Sequence, residues 1–231
     1  MNLKELLGDP AWLFDLGFPI RSLARRITNP ERLEWRLNDE HAIPPLSSLS
    51  NGLGFAKTYL AWTGTGLYFQ SRLKPPSGKL SVTESSKHLA RTSHISLYID
   101  TRWSPGVHRA TSYCHRFDFI INRPSSSEPI QRGHGELNQI QRARAAPTDV
   151  HPSQISVGSF LEPDGIEIRA FLKGETLTGY APDEHQEIGV FFTINDSLLG
   201  NQILARTLQS PYFEDPSLWC RAKLIPFQTD A

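Results

Sequence analysis

Apolar residues in this chain return with a period of two, in short runs separated by turn residues, and that rhythm confines it to a β fold. Ile95, Leu97 and Ile99 alternate with His94, Ser96, Tyr98 and Asp100, and Phe117, Phe119 and Ile121 alternate in the same way against Arg116 and Asp118. Each alternation predicts a strand with one buried and one wet face. Upstream, residues 57–62 and 67–73 flank Thr63-Gly64-Thr65-Gly66, the glycine-rich spacer of a tight hairpin. Downstream, residues 155–160 and 165–173 pair around Pro163-Asp164-Gly165, with Ile166, Ile168, Ala170 and Leu172 on one face. Residues 188–196, Ile-Gly-Val-Phe-Phe-Thr-Ile-Asn-Asp, are apolar nearly throughout, the pattern of a strand buried on both faces. Residues 203–208 and 219–227 close the series.

About eight to ten strands at regular spacing, with no long amphipathic helix between them, argue against alternating βα units. The expected fold is all-β: an antiparallel two-sheet β-sandwich, jelly-roll or immunoglobulin-like in appearance, with short helical connections. Residues 55–231 form the sandwich, and residues 1–54 an irregular N-terminal segment that packs on it or extends it. Within that segment Asn29-Pro30-Glu31-Arg32 predicts a short helix, with Asn29 as N-cap and Pro30 at the first helical position. One helical turn is expected in the connection 173–186. Gln131 to Ala146 is polar and carries Gly133 and Gly135, which predicts a flexible segment, either an irregular excursion or a poorly packed helix.

Composition closes off several classes of function. A hydrophobic fraction of 39% and a charged fraction of 21% fit a folded chain rather than a disordered one. Lys+Arg and Asp+Glu both number 24, so the basic excess of a nucleic-acid binder is missing and no nucleic-acid partner is expected. No run reaches the roughly 18–20 apolar residues that span a bilayer, so no membrane partner is expected. Asp9, Pro10 and Asp15 interrupt the N-terminus, which does not read as a signal peptide; a cytoplasmic location is the expectation. Cys114 and Cys220 are the only cysteines. One bridge is open to them, and two buried free thiols are expected in a chain without a secretion signal.

Chemistry gathers between the strands of the segment 94–121. Asp100, Arg102, Trp103, His108, Arg109 and His115 crowd the connection and its rims, where β proteins commonly keep their sites. A pyranose offers an apolar C–H face and a ring of hydroxyls, so it is held by aromatic platforms and planar polar groups. Trp62, Tyr98 and Trp103 are the aromatic candidates; Asp100, Arg102, Arg109 and His108 are the hydrogen-bonding ones. Trp62 sits among apolar strand neighbours and is expected in the core. Tyr98 has the alternative of packing on a sheet face, and Trp103 that of a structural plug.

Metal and catalytic readings find less. Asp100, His108, Cys114 and His115 do not have a zinc spacing, and Cys114 and His115 would point to opposite faces of a strand. No metal site is expected. There is no GxSxG elbow, no HExxH and no phosphate-cradling glycine loop.

The order of local patterns resembles carbohydrate-binding module family 9-like, or DOMON-like, β-sandwiches over roughly residues 55–226. Tyr59-Leu60-Ala61-Trp62 and Gly66-Leu67-Tyr68-Phe69 resemble their opening hairpin, and Leu97-Tyr98-Ile99-Asp100-Thr101-Arg102 their strand ending in Asp. Glu167-Ile168-Arg169-Ala170-Phe171, Leu177, Gly179, Ile188-Gly189-Val190-Phe191-Phe192 and Asn195-Asp196 resemble their back half. His108-Arg109-Ala110, Cys114-His115 and Asp215-Pro216-Ser217-Leu218-Trp219 look like features of an uncharacterised bacterial subgroup. The resemblance implies a sandwich and a sugar ligand. Related sandwiches hold haem, but methionine occurs only at position 1, so a Met/His axial pair is missing; a bis-His haem is left open without positive evidence, and no haem is expected. Calcium would fit the resemblance in an acidic loop such as Asp183-Glu184 or Glu214-Asp215; the oxygen density is low, and solvated carboxylates are expected instead.

The expected function is therefore non-catalytic binding, with a saccharide preferred, through Tyr98, Asp100, Arg102, Trp103, His108, Arg109 and His115. The alternative is a protein-interaction or structural module with an unidentified partner. The second alternative is an enzyme of unknown reaction, such as a carbohydrate-active hydrolase, which would need a deep pocket lined by Asp100, His108 and His115.

Overall fold

Twelve strands, all among the described residues, fall into two sheets. The computed structural model describes residues 17–25, 27–44, 46, 54–74, 93–122, 124, 126–196, 200–205 and 211–227. The strands are β1 (Gly17–Arg21), β2 (Ala56–Thr63), β3 (Gly66–Leu73), β4 (His94–Asp100), β5 (Cys114–Ile120) and β6 (Ile130–Arg132). They continue as β7 (His134–Asn138), β8 (Ile155–Glu162), β9 (Gly165–Lys173), β10 (Glu187–Asp196), β11 (Gly200–Ile203) and β12 (Cys220–Ile225). One sheet runs β1-β12-β10-β4-β5-β7, with β11 also on β10; the other runs β2-β3-β9-β8-β6. All pairings are antiparallel except that of β1 with β12, which is parallel. The helical connections are single 3-10 turns among the described residues.

The alternation read from sequence decides which side chains meet between the sheets. Ile95, Leu97, Ile99, Phe117, Phe119, Phe192 and Ile194 face Leu60, Leu67, Phe69, Ile168 and Leu172 in one core. Phe69 reaches across to Phe119 and Phe192, with ring centroids 5.8 and 6.3 Å apart. Trp62 joins this core as expected, its indole N–H donating to the Ile20 carbonyl at 3.0 Å.

Within the segment 131–146, expected to be irregular or a poorly packed helix, residues up to Asn138 are mostly strand, and 139–146 are irregular. β6 lies in one sheet and β7 in the other, so residues 130–138 cross the edge of the sandwich. Glycine makes this passage close: a Cβ on Gly133 would lie 2.6 Å from Val157 Cγ1, and one on Gly135 would lie 2.5 Å from Ile155 Cγ2. The apolar half of the alternation is thus supplied by β8, which is why periodicity in the segment itself is weak.

The central strands of the two sheets lack the wet outer face that alternation predicts, while β1 and β12 at one edge keep it. Over β4, Ser96, Tyr98 and Asp100 are all buried. Tyr98 packs against Phe191, Tyr212 and Trp219, so the 211–219 segment roofs this face. On the opposite sheet, residues 33–37 lie across the strands with Leu33, Trp35 and Leu37 turned inward against Tyr59, Tyr68, Phe160 and Phe171. Burying each such side chain contributes about 1.5–3 kcal/mol. The strap is pinned by polar bonds as well. Leu37 N–H donates to Gln70 Oε1 at 2.8 Å, and Arg169 Nη1 donates to the Leu33 carbonyl at 2.7 Å. Beneath it the fully buried Glu167 receives Arg72 Nε and Arg169 Nη2 at 2.6 Å each, and Arg36 Nε at 3.4 Å.

The N-terminal segment is therefore partly strand and partly roof, since Phe18 and Ile20 of β1 belong to the main core. Its predicted helix is one 3-10 turn, Pro30–Arg32, in which the Asn29 side chain makes no cap hydrogen bond.

Candidate functional site

β4 ends at Asp100 and β5 begins at Cys114, and the loop between them is closed at its neck. Thr101 N–H donates to the Tyr113 carbonyl at 3.1 Å, and the Thr101 hydroxyl donates to the Thr178 carbonyl at 2.6 Å. Asp100 Oδ1 accepts the Arg102 N–H at 3.0 Å, and the Ser104 N–H also bonds this carboxylate. At its tip Gly106 takes φ +81°, a left-handed turn that glycine adopts without strain. The fold leaves a pocket of about 400 Å³ here, lined by Asp100, Arg102, Ser104, Val107, Thr111 and Tyr113.

The electrostatics of this pocket follow from burial. Asp100 is only 4% exposed, and desolvation pushes its carboxyl pKa up while the N–H groups of Arg102 and Ser104 partly hold it down. The Arg102 guanidinium lies over the Tyr113 ring at 5.4 Å. Its Nε is shielded from solvent and has no hydrogen-bond partner. An unsatisfied buried donor costs about 1–3 kcal/mol, and Gly179 covers this one: a Cβ there would lie 3.1 Å from it. Tyr113 itself keeps 38% of its surface exposed. Behind it, Gly179 at φ +78° packs so closely that a Cβ would sit 2.6 Å from Tyr113 Cδ1. The 174–180 connection therefore backs Tyr113 and Arg102.

Of the seven residues singled out by sequence, this pocket brings together Asp100 and Arg102. Tyr98 is instead buried beneath Trp219 and Tyr212, with Arg116 over its ring at 5.9 Å, because the roof covers the face it occupies. Trp103 is partly buried against the main core and lies over Gly189, where a Cβ would be 3.0 Å from its Cε3; it fills the space the glycine leaves. Arg109 is exposed, its Nε donating to the Arg142 carbonyl at 2.9 Å. His115 is fully buried between the sheets, stacked on Phe117. Its Nε2 accepts the Thr178 N–H at 2.9 Å, its Nδ1 has no partner, and burial pushes its pKa down to about 4. Sequence reasoning passed over Ser104, Val107, Thr111 and Tyr113. The available signal for Tyr113 was a tyrosine in a polar Thr-Ser turn immediately before a strand.

His108 sits outside the pocket in a Ser–His–Asp cluster that lacks relay geometry. Its Nδ1 meets both Asp215 Oδ2, at 3.0 Å, and Ser217 Oγ, at 3.1 Å. Nucleophile and orienting carboxylate must engage opposite ring nitrogens for the ring to pass a proton between them. Here the Ser217 hydroxyl simply donates to Asp215 Oδ1 at 2.6 Å, within the turn 215–217. Asp100, His108 and His115 do not converge on one cavity. No group of three or more His, Cys, Asp or Glu among the described residues is arranged to hold a metal ion. Glu214 and Asp215 are engaged by Arg142 and His108. Cys114 and Cys220 are free and buried, and burial pushes the Cys114 thiol up to about 12.

A second, more open groove of about 670 Å³ lies between residues 27–31, the Gly64-Thr65 hairpin and residues 171–180. Its aromatic groups are less available. Phe171 is 2% exposed, and the Tyr180 hydroxyl donates to the Thr63 carbonyl at 2.8 Å.

The two-sheet sandwich has a carbohydrate-binding module family 9-like β-sandwich fold. Among solved structures the chain is similar to a carbohydrate-binding module family 9 protein from Caldicellulosiruptor kristjanssonii in complex with cellotriose, at 14% identity and a TM-score of 0.58. That match covers 93% of this chain and 96% of the other. The same kind of module from this organism in complex with glucose matches at 13% identity and a TM-score of 0.59, covering 93% and 98% of the two chains. No family model matches the chain, and no curated protein matches its sequence.

Proposed function

We propose that this protein is a non-catalytic saccharide-binding module and that the pocket at the end of β4 is its binding site. The observation that carries the reading is the arrangement of Arg102 over Tyr113 beside the buried Asp100. An exposed tyrosine ring accepts the C–H face of a sugar, a held guanidinium donates to its hydroxyls, and Ser104 and Thr111 add hydroxyl partners at the wall. The two solved modules with this fold, one in complex with cellotriose and one with glucose, agree with a saccharide ligand.

The test is calorimetric titration of the full chain with a panel of neutral and acidic trisaccharides. Saturable binding is expected for at least one of them, weakened at least about 10-fold by Tyr113→Ala, the loss of one stacking platform. Absence of binding across the panel, or binding that Tyr113→Ala leaves intact, would overturn the assignment.

A further inference from the structure

Thr178 is bonded through its N–H, its carbonyl and its hydroxyl, and each bond ties it to a different part of the molecule. Its N–H donates to His115 Nε2 at 2.9 Å, its carbonyl accepts the Thr101 hydroxyl at 2.6 Å, and its hydroxyl accepts the Thr148 N–H at 3.0 Å. Thr101 N–H in turn donates to the Tyr113 carbonyl at 3.1 Å and closes the loop neck. The next residue, Gly179, backs the site: a Cβ on it would meet the Tyr113 ring at 2.6 Å and Arg102 Nε at 3.1 Å. A displacement of Thr178 is therefore passed to the exposed Tyr113 ring by two routes, through Thr101 and through Gly179.

Of these partners of Thr178 only His115 titrates. A ring nitrogen that accepts a hydrogen bond carries no proton, and protonation turns it into a donor facing the Thr178 N–H. Two donors repel, so a charged ring does not hold Thr178. His115 is fully buried and does not line the pocket, so it acts on the site through Thr178 rather than through a ligand. The titratable groups on the elements packed against the ring are Asp100 on β4, Cys114 on β5, Arg102 and Tyr113 at the loop neck, and Glu175 and Tyr180 in the connection. None of these forms an ion pair with it among the described residues. Burial lowers its proton affinity and outweighs the nearby Ile99 and Tyr113 carbonyls, which favour the charged form. The neutral ring thus holds the connection, and the contact is lost as the pH falls through about 4.

We propose that His115 is a positioning residue of the saccharide site: as an acceptor it fixes Thr178 and so the Tyr113 platform, and its protonation releases both and weakens binding. This rests on the saccharide reading above but can fail separately from it. The probes are the trisaccharides of the panel above, cellotriose and trigalacturonate among them, titrated calorimetrically into the full chain as wild type, His115→Leu and His115→Gln. His115→Leu leaves the Thr178 N–H without an acceptor and is expected to weaken binding at least about 5-fold at neutral pH. The conservative His115→Gln, whose Oε1 accepts from Thr178, should recover most of that loss. Lowering the pH from about 6 to about 4 should cost the wild type about 2-fold more affinity than it costs His115→Gln, since half of the wild-type rings are then charged. Asp100 titrates in both proteins, so its effect cancels in that ratio. In the ligand-free wild type, the amide signals of Thr178, Gly179 and Tyr113 should share an acid transition that His115→Gln lacks. That readout needs neither a ligand nor a folded leucine variant. Tyr113 signals that ignore the transition, or binding by both variants that matches wild type at every pH, would overturn the positioning role and leave the saccharide reading standing. Failure of the whole panel to bind the wild type would overturn both.

Discussion

Replacing His115 by Gln should remove an acid sensitivity built into the core. His115 is fully buried, its Nε2 accepts the Thr178 N–H, and burial lowers its pKa to about 4 in the folded protein. In the unfolded chain it titrates near its ordinary value of about 6.5. Below that pH the unfolded state takes up a proton that the native state refuses, so stability falls as pH falls. The loss runs from about pH 6.5 to about pH 4, where the native state also protonates. Between pH 7.5 and pH 4.5 the two titrations differ by about 2–3 kcal/mol. Glutamine does not titrate and keeps an acceptor for Thr178. The assay is urea unfolding of both proteins at a series of pH values. Any constant cost of the substitution cancels, and the variant should gain about 2–3 kcal/mol on the wild type across this window. Parallel pH profiles would refute the reasoning, because they would mean that His115 titrates in the native state as it does in the unfolded chain. The consequence reaches the pocket, since Thr178 belongs to the connection whose Gly179 supports Arg102 and Tyr113.

Glu167→Gln should destabilise the protein by about 3 kcal/mol or more in denaturant titration, because it leaves Arg72 and Arg169 without their buried counter-ion. Gly179→Ala forces a left-handed conformation on a residue with a Cβ and drives that Cβ into Tyr113; a loss of about 1–2 kcal/mol, or roughly 3–6 °C in Tm, is expected together with weaker saccharide binding. Neither cysteine should react with a thiol reagent at pH 8 in the native protein, and both should react after unfolding, since both are buried.

The strands were readable from sequence because alternation reports directly on which side chains enter the space between two sheets. The fate of the other face was not readable. Ser96, Tyr98 and Asp100 look solvated by pattern, yet Tyr212 and Trp219, more than a hundred positions downstream, cover that face. His115 was misplaced for a related reason. It occupies the inward register with Phe117 and Phe119, where a polar residue survives only because one backbone N–H happens to reach it. β7 escaped notice because its inward position is Gly135, filled by Ile155 from the neighbouring strand. Asp100 and Arg102 were identifiable as the end of a strand and the start of its loop. Tyr113 becomes part of the site only when the loop neck closes, through the Thr101–Tyr113 hydrogen bond, which no local pattern encodes.

That the pocket beside Arg102 and Tyr113 holds a saccharide is tested most directly by chemical-shift mapping of the labelled full chain during titration with the panel of neutral and acidic trisaccharides. The largest saturable shifts are expected at Arg102 Nε–H, Val107, Thr111 and Tyr113, with none of similar size in the groove formed by residues 27–31 and 171–175. Saturable shifts centred on that groove, or on neither place, would contradict the claim.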